Sequence, residues 1–209
     1  MTLISRNSAW LGLLCIGAAL ACLAAPAAQA ASAKEIDIKV DASLEKFREK
    51  VDGADNFLAS AKGVLVFPAV YKAGIGIGGE YGEGALRIGG KTVDYYNTAA
   101  ASIGFQLGAQ AKTVIIVFMQ QDALSKFRNS KGWEAGVDGS VALVELGAGG
   151  SLDTTNIRDP IVGFVFANRG LMYNLTLEGS KITKLDKSKG EDTDKADESD
   201  GSDKPAEQT

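Results

Sequence analysis

The spacing of apolar and polar residues changes character several times along the chain. Leu11 to Ala25 runs apolar without a break and is closed by Pro26. From Ile36 the apolar positions are Val40, Leu44, Phe47 and Val51, at intervals of four, four, three and four. That spacing places them on one face of a helix, while Lys39, Glu45, Lys46, Arg48, Glu49 and Lys50 charge the remainder. Ser32 and Glu35 have capping-box spacing at its start, and Gly53 interrupts it. A shorter helix is expected from Asp55 to Ala61, stopping at Gly63.

Beyond Gly63 the period falls towards two. Val64-Leu65-Val66-Phe67 is a continuous run of strand formers with Pro68 at its end, where a missing ladder hydrogen bond is tolerated. In Gly74-Ile75-Gly76-Ile77-Gly78-Gly79 glycine alternates with isoleucine, which predicts a bare strand face for close approach, with the isoleucines turned to the core. Tyr81 to Ile88 continues the strand, Gly89-Gly90 turns it, and Thr92 to Asn97 returns. Thr113 to Phe118 reads as a buried strand, and a brief helix follows with Asp122 as cap and Leu124 and Phe127 inward.

Trp133 to Leu146 returns to strand character. Ile161 to Ala167, Leu171 to Leu177 and Lys181 to Leu185 form a terminal meander turning at Asn168-Arg169-Gly170 and at Glu178-Gly179-Ser180. The sum is about nine or ten short strands with little helix. The fold class predicted is α+β: a glycine-rich antiparallel β barrel or sandwich with an N-terminal amphipathic helix and one short internal helix.

Composition adds the processing of the chain. The apolar run is shorter than a membrane span, and Ala28-Gln29-Ala30 supplies small residues at a cleavage site, so residues 1–30 read as a signal peptide cut after Ala30. The mature chain is then periplasmic or secreted. The alternative is a lipoprotein anchored through Cys22, which follows Ala19-Leu20-Ala21. Both cysteines, Cys15 and Cys22, precede the cleavage point, so the mature chain forms no disulfide.

Residues 186–209 carry nine acidic residues against four lysines and no aromatic or β-branched apolar residue, which predicts a disordered acidic tail. Residues 31–185, by contrast, hold seventeen acidic and seventeen basic residues. A neutral body argues against nucleic acid as a partner. The organisation expected is a signal peptide over 1–30, an amphipathic helix over 31–53, a β domain over 54–185 and the tail.

The chemistry available is narrow. With no histidine anywhere and no cysteine after cleavage, no histidine-based triad, general base or zinc site can be built, and no metal or cofactor is expected. Gly74, Gly76 and Gly79 satisfy G-x-G-x-x-G, with Asp94 twenty residues beyond the first, yet the dinucleotide motif needs a helix at its last glycine and here Gly82 and Gly84 follow in a strand-like run. Gly90-Lys91-Thr92 resembles the end of a phosphate loop, but Ala85 stands where its first glycine belongs. Glu80, Glu83 and Asp94 are the carboxylates that could serve an enzyme from one hairpin; solvent-facing strand positions are the simpler account.

Ala61-Lys62-Gly63-Val64-Leu65-Val66-Phe67-Pro68, Lys72-Ala73-Gly74, Ile103-Gly104-Phe105-Gln106-Leu107-Gly108-Ala109-Gln110, Val114-Ile115-Ile116-Val117-Phe118 and Gly170-Leu171-Met172 through Leu177-Glu178-Gly179-Ser180 occur in an order that resembles the SYLF-domain family over residues 54–185. Eukaryotic members of that family bind phosphoinositide membranes and some bind or bundle actin; bacterial members are exported. The resemblance implies a non-enzymatic, lipid-binding domain whose partner is a membrane surface. Phe47 on the helix face, with Lys62, Lys72 and Lys112 on the matching segments, are the lipid-binding candidates, and Gly74, Gly76, Gly78 and Gly79 form the glycine-rich strand. The helix face packs on the β domain or inserts at a bilayer. The alternative function is an envelope-associated structural or protein-interaction module with a protein partner, actin entering by family name only.

Overall fold

The computed structural model describes residues 31–145, 159–170, 177 and 179–187, with backbone alone at 75–76, 102–108, 145 and 166–170. Within them the helices are α1 (Ala33–Lys50), α2 (Ala54–Ser60) and α3 (Gln121–Asn129). The strands are β1 (Gly63–Ile88), β2 (Lys91–Phe118), β3 (Trp133–Glu134), β4 (Ala142–Glu145), β5 (Ile161–Gly170) and β6 (Lys181–Leu185). The predicted signal peptide and almost all of the acidic tail lie outside the described residues.

Helix α1 forms as its periodicity predicts. Ser32 caps it by accepting a hydrogen bond from the Glu35 N–H at 3.2 Å, and Arg48 and Lys50 stand in the last turn, where cations suit the helix dipole. Ile36, Val40, Ser43 and Phe47 are its buried residues. Phe47 lies 4.9 Å from the Phe164 ring, and Phe57 of α2 packs 5.5 Å from the same ring. Each such side chain contributes about 1.5–3 kcal/mol on burial, so these rings and not the exposed Lys39–Glu35 pair hold the helices on the sheet.

One long hairpin organises the sheet. β1 pairs antiparallel with β2 from Gly63↔Phe118 to Ile88↔Lys91, and Gly89 and Gly90 turn with φ of 57° and 78°. Two consecutive left-handed residues suit the twist of a tight hairpin, and glycine meets no steric penalty there. The other edge of β2 is shared: Tyr95 to Ala99 pair with β6, and Gln110 to Phe118 with β5. β3 extends the first branch and β4 the second.

The result is a curled, half-barrel sheet. Its curl is tightest where β1 meets itself: a Cβ on Gly84 would stand 2.0 Å from the Val66 carbonyl oxygen, and one on Gly82 would stand 2.8 Å from that of Ala69. The core inside the curl takes Leu65, Phe67, Val114, Ile116 and Phe118, with Leu124 and Phe127 of α3 among them. A second core on the outer face takes Val64, Val66, Ile115 and Val117 against α1 and α2. Alternate residues thus enter different cores, which is why these segments are continuously apolar.

The α+β class holds, but the sheet is mixed, because β4 runs parallel to β5 from Ala142↔Val162 to Glu145↔Val165. Several expected short strands are parts of two long ones. Register shifts between Phe67 and Val70, Ile75 and Ile77, and Leu86 and Arg87 bend β1 without ending it, and Pro68 sits in the first. The expected turn at Asn168-Arg169-Gly170 is ladder, with Arg169 opposite Ala111 and Gly170 opposite Gln110. The stretch from Trp133 is strand only at 133–134 and 142–145; Gly136, at φ 88°, turns it between. Asp122 sits in the first turn of α3, whose N-cap is Gln120.

Candidate functional site

The bend of the long hairpin presents two unlike faces. On the outer face α1 and α2 cover one end only. Beyond them Tyr71, Ile77 and Tyr81 are 64%, 73% and 47% exposed. Around them Ala73, Gly79, Ala99, Ala101 and Ala109 are also exposed. These residues are cross-strand neighbours, Ala73↔Ala109, Gly79↔Ala101 and Tyr81↔Ala99, so they share one face of the hairpin, with Glu83 the charged side chain at its edge. Parity along β1 puts Ile77 outside, the reverse of the core position its alternation with glycine predicts. The glycine lane takes the concave side because only residues without a side chain let the strand close on itself.

The Tyr81 hydroxyl at the edge of this face donates to Glu83 Oε1 at 2.7 Å. Its pKa is raised by burial first and then by that hydrogen bond. Tyr71 is close enough to Lys39 of α1 to act on its charge.

The inner face of the same bend is polar. Lys112 Nζ bonds Glu80 Oε1 at 2.8 Å, with side chains 1% and 7% exposed. Gln110 and Lys72, Cα partners in the ladder, are buried beside them. A buried lysine–glutamate pair is costly to desolvate and costlier to leave half-made, so it fixes how the two halves of β1 cross.

The lipid-binding candidates are therefore dispersed. Phe47 is fully buried under α1 and cannot insert at a bilayer from this position, because the Phe164 and Phe57 rings occupy its surroundings. Lys62 is exposed, whereas Lys72 and Lys112 lie inside the curl. Gly74 lies where β1 folds tightly, a Cβ there falling 2.4 Å from the Gly78 Cα, while Gly79 has open space beside it. Gly76 lies in β1 between them. The exposed stripe is not legible in the sequence, because alternation alone does not say which face of a strand a helix will cover.

The carboxylates do not gather. Glu80 pairs with Lys112, Glu83 with Lys187 at 2.9 Å, and Asp94 with both Arg128 and Lys184. Glu80 and Glu83, three apart on one strand, point to opposite faces. A cleft of about 730 Å³ opens between α1, α2 and the hairpin turn. Its two arginines are matched, Arg48 to Asp55 at 2.9 Å and Arg87 to Asp41 at 2.8 Å. Among the described residues no group of acidic side chains is placed to hold a metal ion.

Residues 99–190 match the family model Ysc84, described as Las17-binding protein actin regulator. Over those residues the chain is similar to the Ysc84 (SYLF) domain. The Ysc84 match takes in β2 from Ala99 onward, α3 and β3 to β6, and so the returning strand of the exposed face. No curated protein matches the chain significantly.

Proposed function

We propose that this protein is an exported, non-enzymatic domain that binds a phospholipid surface through the outer face of its long hairpin. The observation that carries the reading is the exposed stripe of Tyr71, Ile77 and Tyr81 set among alanines and left open beyond α1. Contiguous exposed apolar surface on a water-soluble fold marks a contact surface. Protein interfaces are depleted in alanine, whereas a tyrosine rim around small apolar residues suits the boundary between headgroups and acyl chains. No helix of the described residues is long and apolar enough to cross a membrane. Export rests on the apolar run and the cleavage pattern.

The family description names Las17 binding and actin regulation, and a protein partner at the same face is the second reading. Co-sedimentation of the secreted chain with phosphatidylcholine vesicles tests the first. Wild-type protein, its intact mass placing the N-terminus at Ala31, sediments, and Ile77→Ser with Tyr71→Ser loses most of that binding at unchanged melting temperature. Failure to sediment with any lipid would sink the membrane reading, and an acylated Cys22 would replace the cleaved form with an anchored one.

A further inference from the structure

We infer that the acidic C-terminal segment, from Glu191 onward, docks on a cationic pocket between α3 and β6. The pocket has a volume of about 340 Å³ and is lined by Gln121, Ser125, Arg128 and Asn129 of α3 and by Lys184 of β6. Its two cations share one carboxylate. Asp94 Oδ2 accepts from Arg128 Nε at 3.2 Å and from Nη2 at 3.1 Å, and Lys184 Nζ pairs with Asp94 Oδ1. The Asp94 side chain is 9% exposed, against 42% for Arg128 and 56% for Lys184, so the carboxylate lies beneath and the cations face solvent. A guanidinium and an ammonium carry more N–H donors than one carboxylate accepts, and the side-chain amides of Gln121 and Asn129 add neutral ones. The pocket thus presents an excess positive charge rimmed with donors, which suits further carboxylates.

The chain supplies them next to the pocket. Lys187 is held by the Ala31 carbonyl and by Glu83, which fixes the root of the C-terminal segment three residues beyond Lys184. Residues 188–209 hold eight acidic residues against three lysines. Gly190 lets the chain reverse, and Glu191 and Asp192 follow at once, within the roughly 16 Å that five residues span from Lys187. Exposed ion pairs are individually weak, and two separate molecules would seldom hold them together. A segment tethered beside its site meets it at an effective concentration of about millimolar, so the same weak pairs become populated. The contact needs no apolar burial and rests on neither the membrane nor the protein-partner reading.

Proximity is the quantity to measure, because such pairs add little to stability. The mature chain has no cysteine and one tryptophan, Trp133, which lies opposite Ile182 and so two residues along β6 from Lys184. Energy transfer from Trp133 to a dansyl-type acceptor on Ser199→Cys reports where the segment lies. Docking predicts efficient transfer at about 20 mM salt and a fall of about twofold or more at 0.5 M, as screening releases the segment. An undocked acidic segment does the opposite, since it repels itself and extends at low salt. Lys184→Gln, which leaves Arg128 on Asp94, should reduce the low-salt transfer, and Glu191→Gln with Asp192→Asn and Asp194→Asn should reduce it without touching the folded body. Lys46→Gln on α1 should leave it unchanged. Transfer that does not fall with salt overturns the docking, and a salt-sensitive transfer that Lys184→Gln leaves intact overturns the pocket as its site.

Discussion

Tyr96 shows how burial sets the chemistry of a single residue. Its ring lies 4.9 Å from that of Phe127 in the core inside the curl, and its hydroxyl has no hydrogen-bond partner of good geometry. Burial, and after it the negative charge of Asp94, pushes its pKa up from 10 to about 12. A raised value means that the fold favours the neutral phenol. The stability it contributes is therefore complete below pH 10 and is lost as pH rises through about 12. Denaturant unfolding followed between those values should show a steep alkaline loss that Tyr96→Phe reduces; an unchanged alkaline limb would place its cause elsewhere. The Glu80–Lys112 pair belongs to the same scale. It takes its role from burial, since an exposed pair of the same types would contribute little.

At the scale of elements, β1 is one strand doing two things. Its glycines at 74–79 are expected to permit close approach; Gly74 does so, a Cβ there falling 2.4 Å from the Gly78 Cα, and the approach recurs further on, where Gly82 meets Ala69 and Val70 and Gly84 meets Val66 and Phe67. The structure separates the glycines by consequence. Gly84→Ala places a methyl group 2.0 Å from a backbone oxygen that cannot move aside, and should cost about 1–3 kcal/mol or more. Gly79→Ala meets nothing within 4 Å and should stabilise by about 0.4–1 kcal/mol, through the unfolded chain. Urea unfolding of the two variants side by side decides this, and equal stabilities would refute the crossing of β1 over itself. Helix α1 is likewise fixed by two kinds of contact. Its apolar face covers the sheet, and its Asp37 accepts hydrogen bonds from Thr92 at 2.7 Å and Tyr95 at 3.0 Å, which sets where along the hairpin the helix stops and the open stripe begins.

At the scale of the whole molecule, the two ends of the folded chain meet. Lys187 Nζ donates to the Ala31 carbonyl and to Glu83 Oε2, each at 2.9 Å, so the last described lysine fastens the start of α1 to β1. Hydrogen bonds to charged groups contribute about 1.5–3 kcal/mol when partly buried. Deleting residues 188–209 should leave the melting temperature nearly unchanged, because that composition has no apolar surface to bury, whereas ending the chain at Asp186 should lower it by several degrees. Equal melting temperatures for the two truncations would show that Lys187 fastens nothing. The sequence by itself determined what depends on neighbours along the chain: the span and capped start of α1, the glycine turn of the hairpin, and the apolar segments buried on both faces. It also carried the order of segments that resembles the SYLF family, matched by the family model over residues 99–190. Only the tertiary structure decided which face of each segment is covered. Phe47 and Ile77 are both apolar residues in regular patterns, yet one lies beneath a helix and the other is open, because coverage depends on where α1 ends against a strand far from it in sequence. Lys62, Lys72 and Lys112 are alike as letters, and the curl of β1 alone makes one exposed and two buried. Strand parity is local, but the side that becomes concave is chosen by the whole sheet as it closes on its glycines.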